Sequence, residues 1–459
     1  GNTLTLKLGE VEALKTSAIV LAAGLGTRMN SELPKVMHKI AGRSMLLYLL
    51  DTLAELDLEK VVLVLGPNMG QVSDLIAESG FKVDIVYQNE RLGTGHAVKQ
   101  AENILSGYKG NIAILYGDSP LISIDTIKEM IGARNRTINP ALVVLGFSPN
   151  DVSGYGRLVL DKSNSVEKIV EEKEATQDEL AIKLCNSGII IADGEILFDL
   201  IGDLTCENIK KEFYLTDVVG IARARGRDCL VVEGTEVELM GINSRAELAV
   251  AETITQNYLR QVAMEKGATL IDPNSVYFCY DTILGKDVII GPNVFFGPKV
   301  KVGDGVEIKA FCHLEGTRIN KNCTVGPFAR LRSGSNISED VHIGNFVEIK
   351  NASLGSGVKV NHLSYLGDAK IGDKTNIGAG TITCNYDGFK KSVTDIGSES
   401  FIGSNTALVA PVKVGNNATI GAGSVITKDV EDNALSLTRS EQKNIPNYES
   451  KLKPMKNKN

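Results

Sequence analysis

From residue 284 onward an aliphatic or aromatic side chain returns at every sixth position. Leu284, Ile290, Phe296, Val302, Ile308 and Leu314 hold the spacing, as do Val325, Leu331, Ile337, Ile343 and Ile349, and then Ile396, Ile402, Leu408, Val414 and Ile420. Gly often follows, as at 291, 297, 303, 344, 397, 403, 415 and 421. A period of six suits neither a long helix nor a long strand. It predicts a solenoid of very short strands in which one residue per hexad points inward and stacks on its neighbours. The phase slips four times: by 11 residues from Leu314 to Val325, five from Ile349 to Leu354, five from Leu366 to Ile371, and 19 from Ile377 to Ile396. The first slip reads as an ordinary indel. The later ones crowd residues 350–395, where polar residues also become unusual, and repeat proteins place binding loops at such insertions.

The first half has a different rhythm. Apolar runs at 17–21, 60–65, 112–116 and 141–145 predict buried strands, and segments 44–58, 68–79 and 94–106 predict amphipathic helices. Such alternation predicts an α/β domain with a mainly parallel sheet, whose ligands bind beyond the carboxyl ends of the strands. At Ser244 the pattern becomes continuously helical to Lys266, with Glu247 three residues after Ser244 as a capping box and Gly267 as a stop. The predicted organisation is an extension (1–16), an α/β domain (17–243), a helical arm (244–266) and a hexapeptide-repeat domain with its tail (267–459).

Composition narrows the class. A chain of 459 residues with 43% hydrophobic and 23% charged residues is that of an ordinary globular protein with two or three domains. Its net charge of -7 argues against nucleic-acid binding, and the Lys-rich residues 451–458 predict only a solvated, frayed tail. Seven Cys without a C-x-x-C pair argue for reduced thiols in the cytoplasm and against a disulfide framework or zinc site. Lys7, Glu10, Glu12 and Lys15 interrupt the N-terminal apolar residues, so no signal peptide is expected, and no run reaches the ~20 apolar residues of a membrane span.

Candidate chemistry begins after the first strand, in Leu21-Ala22-Ala23-Gly24-Leu25-Gly26-Thr27-Arg28-Met29. Met29 stands where a dinucleotide fingerprint needs its third Gly, which disfavours a nicotinamide or flavin site. A Gly-rich turn can still bring backbone N–H groups close to phosphate, and Arg28 and Lys35 add positive charge. The whole string through Leu33-Pro34-Lys35 resembles the signature of the sugar-1-phosphate nucleotidylyltransferases. That resemblance implies that the loop, Arg28 and Lys35 hold a nucleoside triphosphate while a sugar phosphate attacks its α-phosphorus. It further implies that Tyr116-Gly117-Asp118 and Asn243 lie at the site, with Asp118 and Asn243 binding Mg2+. Gln88, Gly93 and Thr94 match the uridine-reading stretch, and Gly156, Glu171 and Asn186 match sugar contacts. His96, at a helix start, reads as structural.

The irregular part of the ladder carries Asn361-His362-Leu363-Ser364-Tyr365, with Lys350, Asn376, Asn385 and Tyr386 nearby in sequence. His362 lies two residues after the in-phase Val360 and should face outward; a neutral His can take a proton from an attacking amine near pH 7. Together with Thr383-Cys384-Asn385-Tyr386-Asp387-Gly388, this segment resembles the acetyltransferase half of a family of bifunctional bacterial uridylyltransferase/acetyltransferases, over residues 17–440. The resemblance implies a Rossmann-like N-terminal domain, a left-handed parallel β-helix, a homotrimer, and synthesis of UDP-N-acetylglucosamine for the cell wall. The co-substrates would be UTP and acetyl-CoA. His362 would be the general base, Arg332, Lys350, Tyr365 and Asn376 would hold glucosamine 1-phosphate, and Ala379, Asn385, Tyr386, Ser404, Ala422 and Arg439 would line the acetyl-CoA site. Ser333 departs from the Pro common in the family. Two other readings are a single-activity nucleotidylyltransferase with an oligomerising β-helix, and a non-catalytic scaffold. Intact His362, Tyr365 and Asn385 oppose the former; Arg28, Lys35, Asp118 and Asn243 oppose the latter.

Overall fold

The strand Thr16–Ala22 is buried along its whole length. Its side chains alternate between two cores: Ile19 and Leu21 pack with Val98, Leu105, Leu200 and Val218, whereas Ala18 and Val20 pack with Leu46, Leu50, Val72 and Met130. A strand covered on both faces needs no polar alternation, which explains its unbroken apolar run. Each such Leu, Ile or Val contributes about 1.5–3 kcal/mol on burial. The computed structural model describes residues 14–456, with the backbone alone for 453–456. Residues 1–13, most of the expected extension, lie outside the described residues, and Thr16 already belongs to the first strand.

The chain forms two compact units that divide between Thr253 and Ile254, within the helix Arg245–Glu265. In the first, the sheet order is Cys229–Glu233, Leu142–Phe147, Cys185–Asp193, Asn111–Tyr116, Thr16–Ala22, Leu58–Leu65, Asp84–Tyr87. All neighbours are parallel except Cys185–Asp193, which opposes both of its own. The hairpin Arg157–Leu160 and Val166–Val170 joins this strand at Cys185. Two predicted helices are shorter than expected. The first, Met45–Ala54, stops before Leu58 enters a strand; the span 94–106 breaks into Thr94–Lys99 and Glu102–Leu105, joined by i→i+3 bonds from Gln100 and Ala101. At the long helix, Ser244 Oγ accepts from the Glu247 N–H at 3.2 Å, but the Glu247 carboxylate returns to the Asn243 N–H at 3.3 Å, so the box closes one residue earlier than its usual form.

The second unit is a parallel β-helix with three sides. Ile289 pairs with Glu307, 18 residues on, and Glu307 with Thr324, 17 on. One side runs through ten strands from Thr269–Leu270 to Leu435–Ser436. The ladder residues are buried apart from Leu284, which is half-buried. The expectation of one inward residue per hexad is too low: Val288 with Ile290, Val300 with Val302, Val341 with Ile343 and Val358 with Val360 place two residues inside each side. Side chains two apart along a strand share a face, so a side of two or three strand residues presents a pair.

Three of the four slips prove to be short sides rather than loops. Buried Ile319 fills the first gap, five residues after Leu314, and strands Glu348–Leu354 and Tyr365–Ile371 run continuously round a corner. Only the fourth is an insertion: Asn376 pairs with Phe401, 25 residues on, because residues 385–393 leave the coil before Thr394 rejoins beside Ala369. Of the tail expected to fray, the described residues to Lys456 instead form the helix Tyr448–Lys456, and 457–459 lie outside the described residues. Among the described residues no helix is long and apolar enough to cross a membrane.

Candidate active sites

Three parallel strands end at one edge of the α/β sheet, delivering Ala23-Gly24, Gln88 and Tyr116-Gly117-Asp118 to it. A cavity of about 250 Å³ opens there, lined by Leu21, Ala22, Ala23, Gly24, Lys35, Gln88, Gly93, Thr94, Tyr116 and Asp118. Gly26 has φ +63°, and a Cβ on it would lie 2.8 Å from Lys35 Cβ, so a side chain there would push Lys35 away. Gly93 has φ +102°, and a Cβ would come within 2.7 Å of the Phe213 carbonyl. The loop is pinned there by the Gly95 N–H on Phe213 O and the Leu215 N–H on Thr94 Oγ1.

Lys35 is the electrostatic centre. Its Nζ donates to Asp118 Oδ2 at 2.7 Å and to Asn243 Oδ1 at 2.8 Å. The Ile242 N–H on the Asp118 carbonyl ties the two acceptor segments together. Two hard oxygens thus converge on one cationic point, and no cluster of three His, Cys, Asp or Glu exists among the described residues. That donor set fits Mg2+, which takes one or two protein oxygens and completes its shell with water and phosphate. Arg28 is exposed on the turn Thr27–Met29 and does not line the cavity.

A second cavity, about 410 Å³, shares Thr94, Tyr116 and Glu212 with the first and adds Gly156, Glu171, Asn186 and Tyr214. Asn186 is fixed by its N–H on Gly156 O and by its Oδ1 accepting from the Gly188 N–H. Burial raises the Glu171 carboxyl above its ordinary range, with Glu174 and Asp217 adding to the effect and Lys210 opposing it. Burial and the charges of Asp118 and Glu171 keep the Tyr116 hydroxyl protonated. Arg91 and Glu212 also line the first cavity and were missed from sequence, although Arg91 adjoins Leu92-Gly93.

In the solenoid, His362 is exposed, and its Nδ1 lies 2.9 Å from Asn345 Oδ1. Asn345 and His362 are register partners on adjacent coils, 17 residues apart. An amide oxygen can only accept, so Nδ1 carries the proton and Nε2 is left as the basic nitrogen. Asn345 was not singled out from sequence; the 17-residue coil step is the signal that finds it. Coil by coil, one corner continues through His362 O to the Gly380 N–H, Ala379 O to the Asn405 N–H, Ser404 O to the Gly423 N–H, and Ala422 O to Arg439 Nη1. His362, Ala379, Ser404, Ala422 and Arg439 therefore form one column.

Around the corner lies a charged cluster. Buried Asp368 accepts from Asn351 Nδ2 at 2.8 Å and Asn385 Nδ2 at 2.7 Å, with Lys350 Nζ at 3.9 Å. Burial pushes Asp368 up, but the Asn351 and Asn385 hydrogen bonds and the charges of Lys350 and Lys391 outweigh it and hold it below the usual carboxylate range. Asn385 also donates to the Tyr365 hydroxyl at 3.3 Å. Lys350 lies against Lys391 and holds it below the ordinary lysine range. Both lysines also face the Asp368 carboxylate, so the cluster keeps one net positive charge to offer an anion. Lys391 was also missed, though it sits in the insertion that follows Asn385. Arg332 pairs with Glu348 at 3.6 Å. Asn376 lies opposite Lys359, three positions short of His362, and no hydrogen bond among the described residues joins it to this cluster.

The fold and these two constellations define a nucleotidyltransferase joined to a hexapeptide-repeat transferase. A MobA-like NTP transferase domain matches residues 18–152, and the bacterial transferase hexapeptide (six repeats) matches 281–316 and 394–428. A protein of Paramagnetospirillum magneticum named "Bifunctional protein GlmU" is 52% identical over 439 residues, covering 96% of this chain and 97% of its own. Those of Rhodospirillum rubrum and of a Ruegeria species, with the same name, are 54% and 50% identical, each over 96% of this chain and over 97% and 98% of their own. The chain belongs to this bifunctional GlmU family.

Proposed function

We propose that the uridylyl and acetyl transfers by which this family makes UDP-N-acetylglucosamine are carried out here by the residues gathered above. UTP lies in the first cavity, with Gln88 and Gly93 at the base and Lys35 at the phosphates, and Arg28, outside the cavity on the exposed turn, meets the part of the triphosphate that projects from it. N-acetylglucosamine 1-phosphate lies in the second, against Gly156, Glu171 and Asn186. Because the cavities share Thr94 and Tyr116, a sugar-phosphate oxygen can reach the α-phosphorus. The new P–O bond forms, the α–β bridging bond breaks, and pyrophosphate leaves. Asp118 and Asn243 would hold Mg2+, which neutralises charge on the phosphoryl oxygens when bound. Lys35 shares that role, stabilising the charge that develops in the transition state.

In the solenoid, His362 Nε2 takes a proton from the amine of glucosamine 1-phosphate as that amine attacks acetyl-CoA; the C–N bond forms and the coenzyme leaves as its thiol. Lys350, Lys391 and Arg332 hold the sugar phosphate, with Tyr365 and Asn376. The corner column through Ala379, Ser404, Ala422 and Arg439, with Asn385 and Tyr386, suits an extended ligand such as acetyl-CoA. These groups occupy different faces of one coil, which supports a homotrimer in which neighbouring copies bring the faces together. The free cysteines suit a reducing, cytoplasmic setting.

The observation that carries the double function is the Asn345–His362 pair on one face, with the Lys350–Lys391 cluster around the corner, for a merely oligomerising β-helix needs neither. The test supplies glucosamine 1-phosphate, acetyl-CoA, UTP and Mg2+, and records thiol and pyrophosphate. Both products are expected. Pyrophosphate appearing only from added N-acetylglucosamine 1-phosphate, with no thiol, would leave a single activity.

A further inference from the structure

Beside the nucleotide cavity lies a hydrogen-bond chain whose outer members, His96 and Gln100, neither reaction above uses. Gln88 lines the cavity, is 5% exposed, and has its Nε2 3.1 Å from the Gly93 carbonyl oxygen and 3.0 Å from His96 Nδ1. A carbonyl oxygen only accepts, so the Gln88 group facing Gly93 is the NH2. Its second hydrogen then points to His96 Nδ1, which must be the unprotonated ring nitrogen, leaving the ring proton on Nε2. Gln100 Nε2, 3.3 Å from the ring Nε2, donates to the His96 backbone carbonyl oxygen at 3.0 Å, so this amide holds the His96 backbone and does not take the ring proton. The Gln88 carbonyl oxygen makes no hydrogen bond among the described residues and is not among the sealed, unpaired polar atoms. It is the atom left to the cavity.

We propose that His96 is a positioning residue for base choice: it holds the Gln88 amide in one orientation, so that the cavity offers the base a lone acceptor. This rests on the reading that Gln88 meets the base. Uracil presents a ring N3–H that such an acceptor binds, whereas the N3 of cytosine carries a lone pair that it repels. Turning the amide over to suit cytosine would forfeit both NH2 bonds, set its oxygen against the Gly93 carbonyl and require His96 to change tautomer. Without His96 only the Gly93 bond resists the turn.

The test is the ratio of kcat/KM for UTP to that for CTP in pyrophosphate release, with acetyl transfer by the same preparation as the measure of folded protein. In His96→Leu the ratio should fall about tenfold, the usual worth of one hydrogen bond of this kind. His96→Asn, whose Oδ1 can stand near the place of Nδ1, should recover most of it. A ratio unchanged in His96→Leu, or equal losses on both nucleotides, overturns the proposal. If Gln88→Leu keeps the parent ratio, the reading of Gln88 as the base contact fails as well; if Gln88→Leu lowers it while His96→Leu does not, only the role of His96 fails. Should His96→Leu not fold, His96→Ala carries the same comparison.

Discussion

Replacing Lys35 by Met separates two demands made on one pair of oxygens. The Lys35 and Asp118 side chains are only 14% and 21% exposed, and their charges are 2.7 Å apart. Unit charges at that distance attract by about 1.5 kcal/mol in water and about 6 kcal/mol at an effective dielectric of 20. Desolvation of both groups takes back much of this, leaving about 1.5–3 kcal/mol, the net worth of hydrogen bonds to charged groups. A divalent ion seeking Asp118 and Asn243 in the nucleotide-free protein must first displace the ammonium. Lys35→Met should therefore bind Mg2+ more tightly by roughly 10- to 150-fold, since 1.36 kcal/mol is tenfold. Catalysis should move the opposite way, with kcat for uridylyl transfer falling about 100- to 1,000-fold for want of a cation at the phosphoryl oxygens. Calorimetric titration with Mg2+ and steady-state pyrophosphate release measure the two effects, and acetyl transfer by the same sample should be unchanged. Mg2+ affinity no higher than the parent's would show that lysine and metal do not share these oxygens. Unchanged transfer would remove Lys35 from the phosphates.

His362→Ala should abolish thiol release and spare uridylyl transfer, and Asp118→Ala should do the reverse; loss of both activities in either folded variant would refute separate sites. Asn345→Ala frees the His362 ring and its tautomer, so kcat for acetyl transfer should fall about tenfold while the melting temperature stays within about 2 °C, as for a partly exposed residue with one hydrogen bond. Glu171 is raised in the folded state, which therefore holds its proton more tightly than the unfolded chain does, and stability is lost as pH rises through the window between the two pKa values. Glu171→Gln should then raise the melting temperature at pH 7 and change it little at pH 4, while weakening sugar-phosphate binding; an equal gain at both pH values would refute the ionisation argument.

The solenoid was legible because its inward positions obey one short period, and the strands of the α/β sheet because burial on both faces leaves unbroken apolar runs. The second inward residue of each side escaped because Val288, Val300 and Val341 precede the ladder by two and look like ordinary neighbours. The five-residue sides looked like indels, since nothing in a sequence distinguishes a shortened face from a loop until Ile319 is seen to fill the core. Candidate residues tied to a strand end or a Gly turn, such as Asp118 and Gly93, line one cavity together. Asn345 and Lys391 were invisible for the opposite reason: each meets its partner across a coil or a corner, at separations set by the winding of the chain rather than by a local motif.

That winding also governs how the acetyl-transfer site can change. Asn345 and His362 face each other because the hydrogen-bond ladder sets neighbouring strands about 4.8 Å apart. Distances along the corner column are therefore quantised: a group can be moved by a whole coil, or carried to the next face, but not by an ångström. The fine adjustment that two substrates require is left to the insertion at residues 385–393, which leaves the coil after Cys384 and returns in register at Thr394.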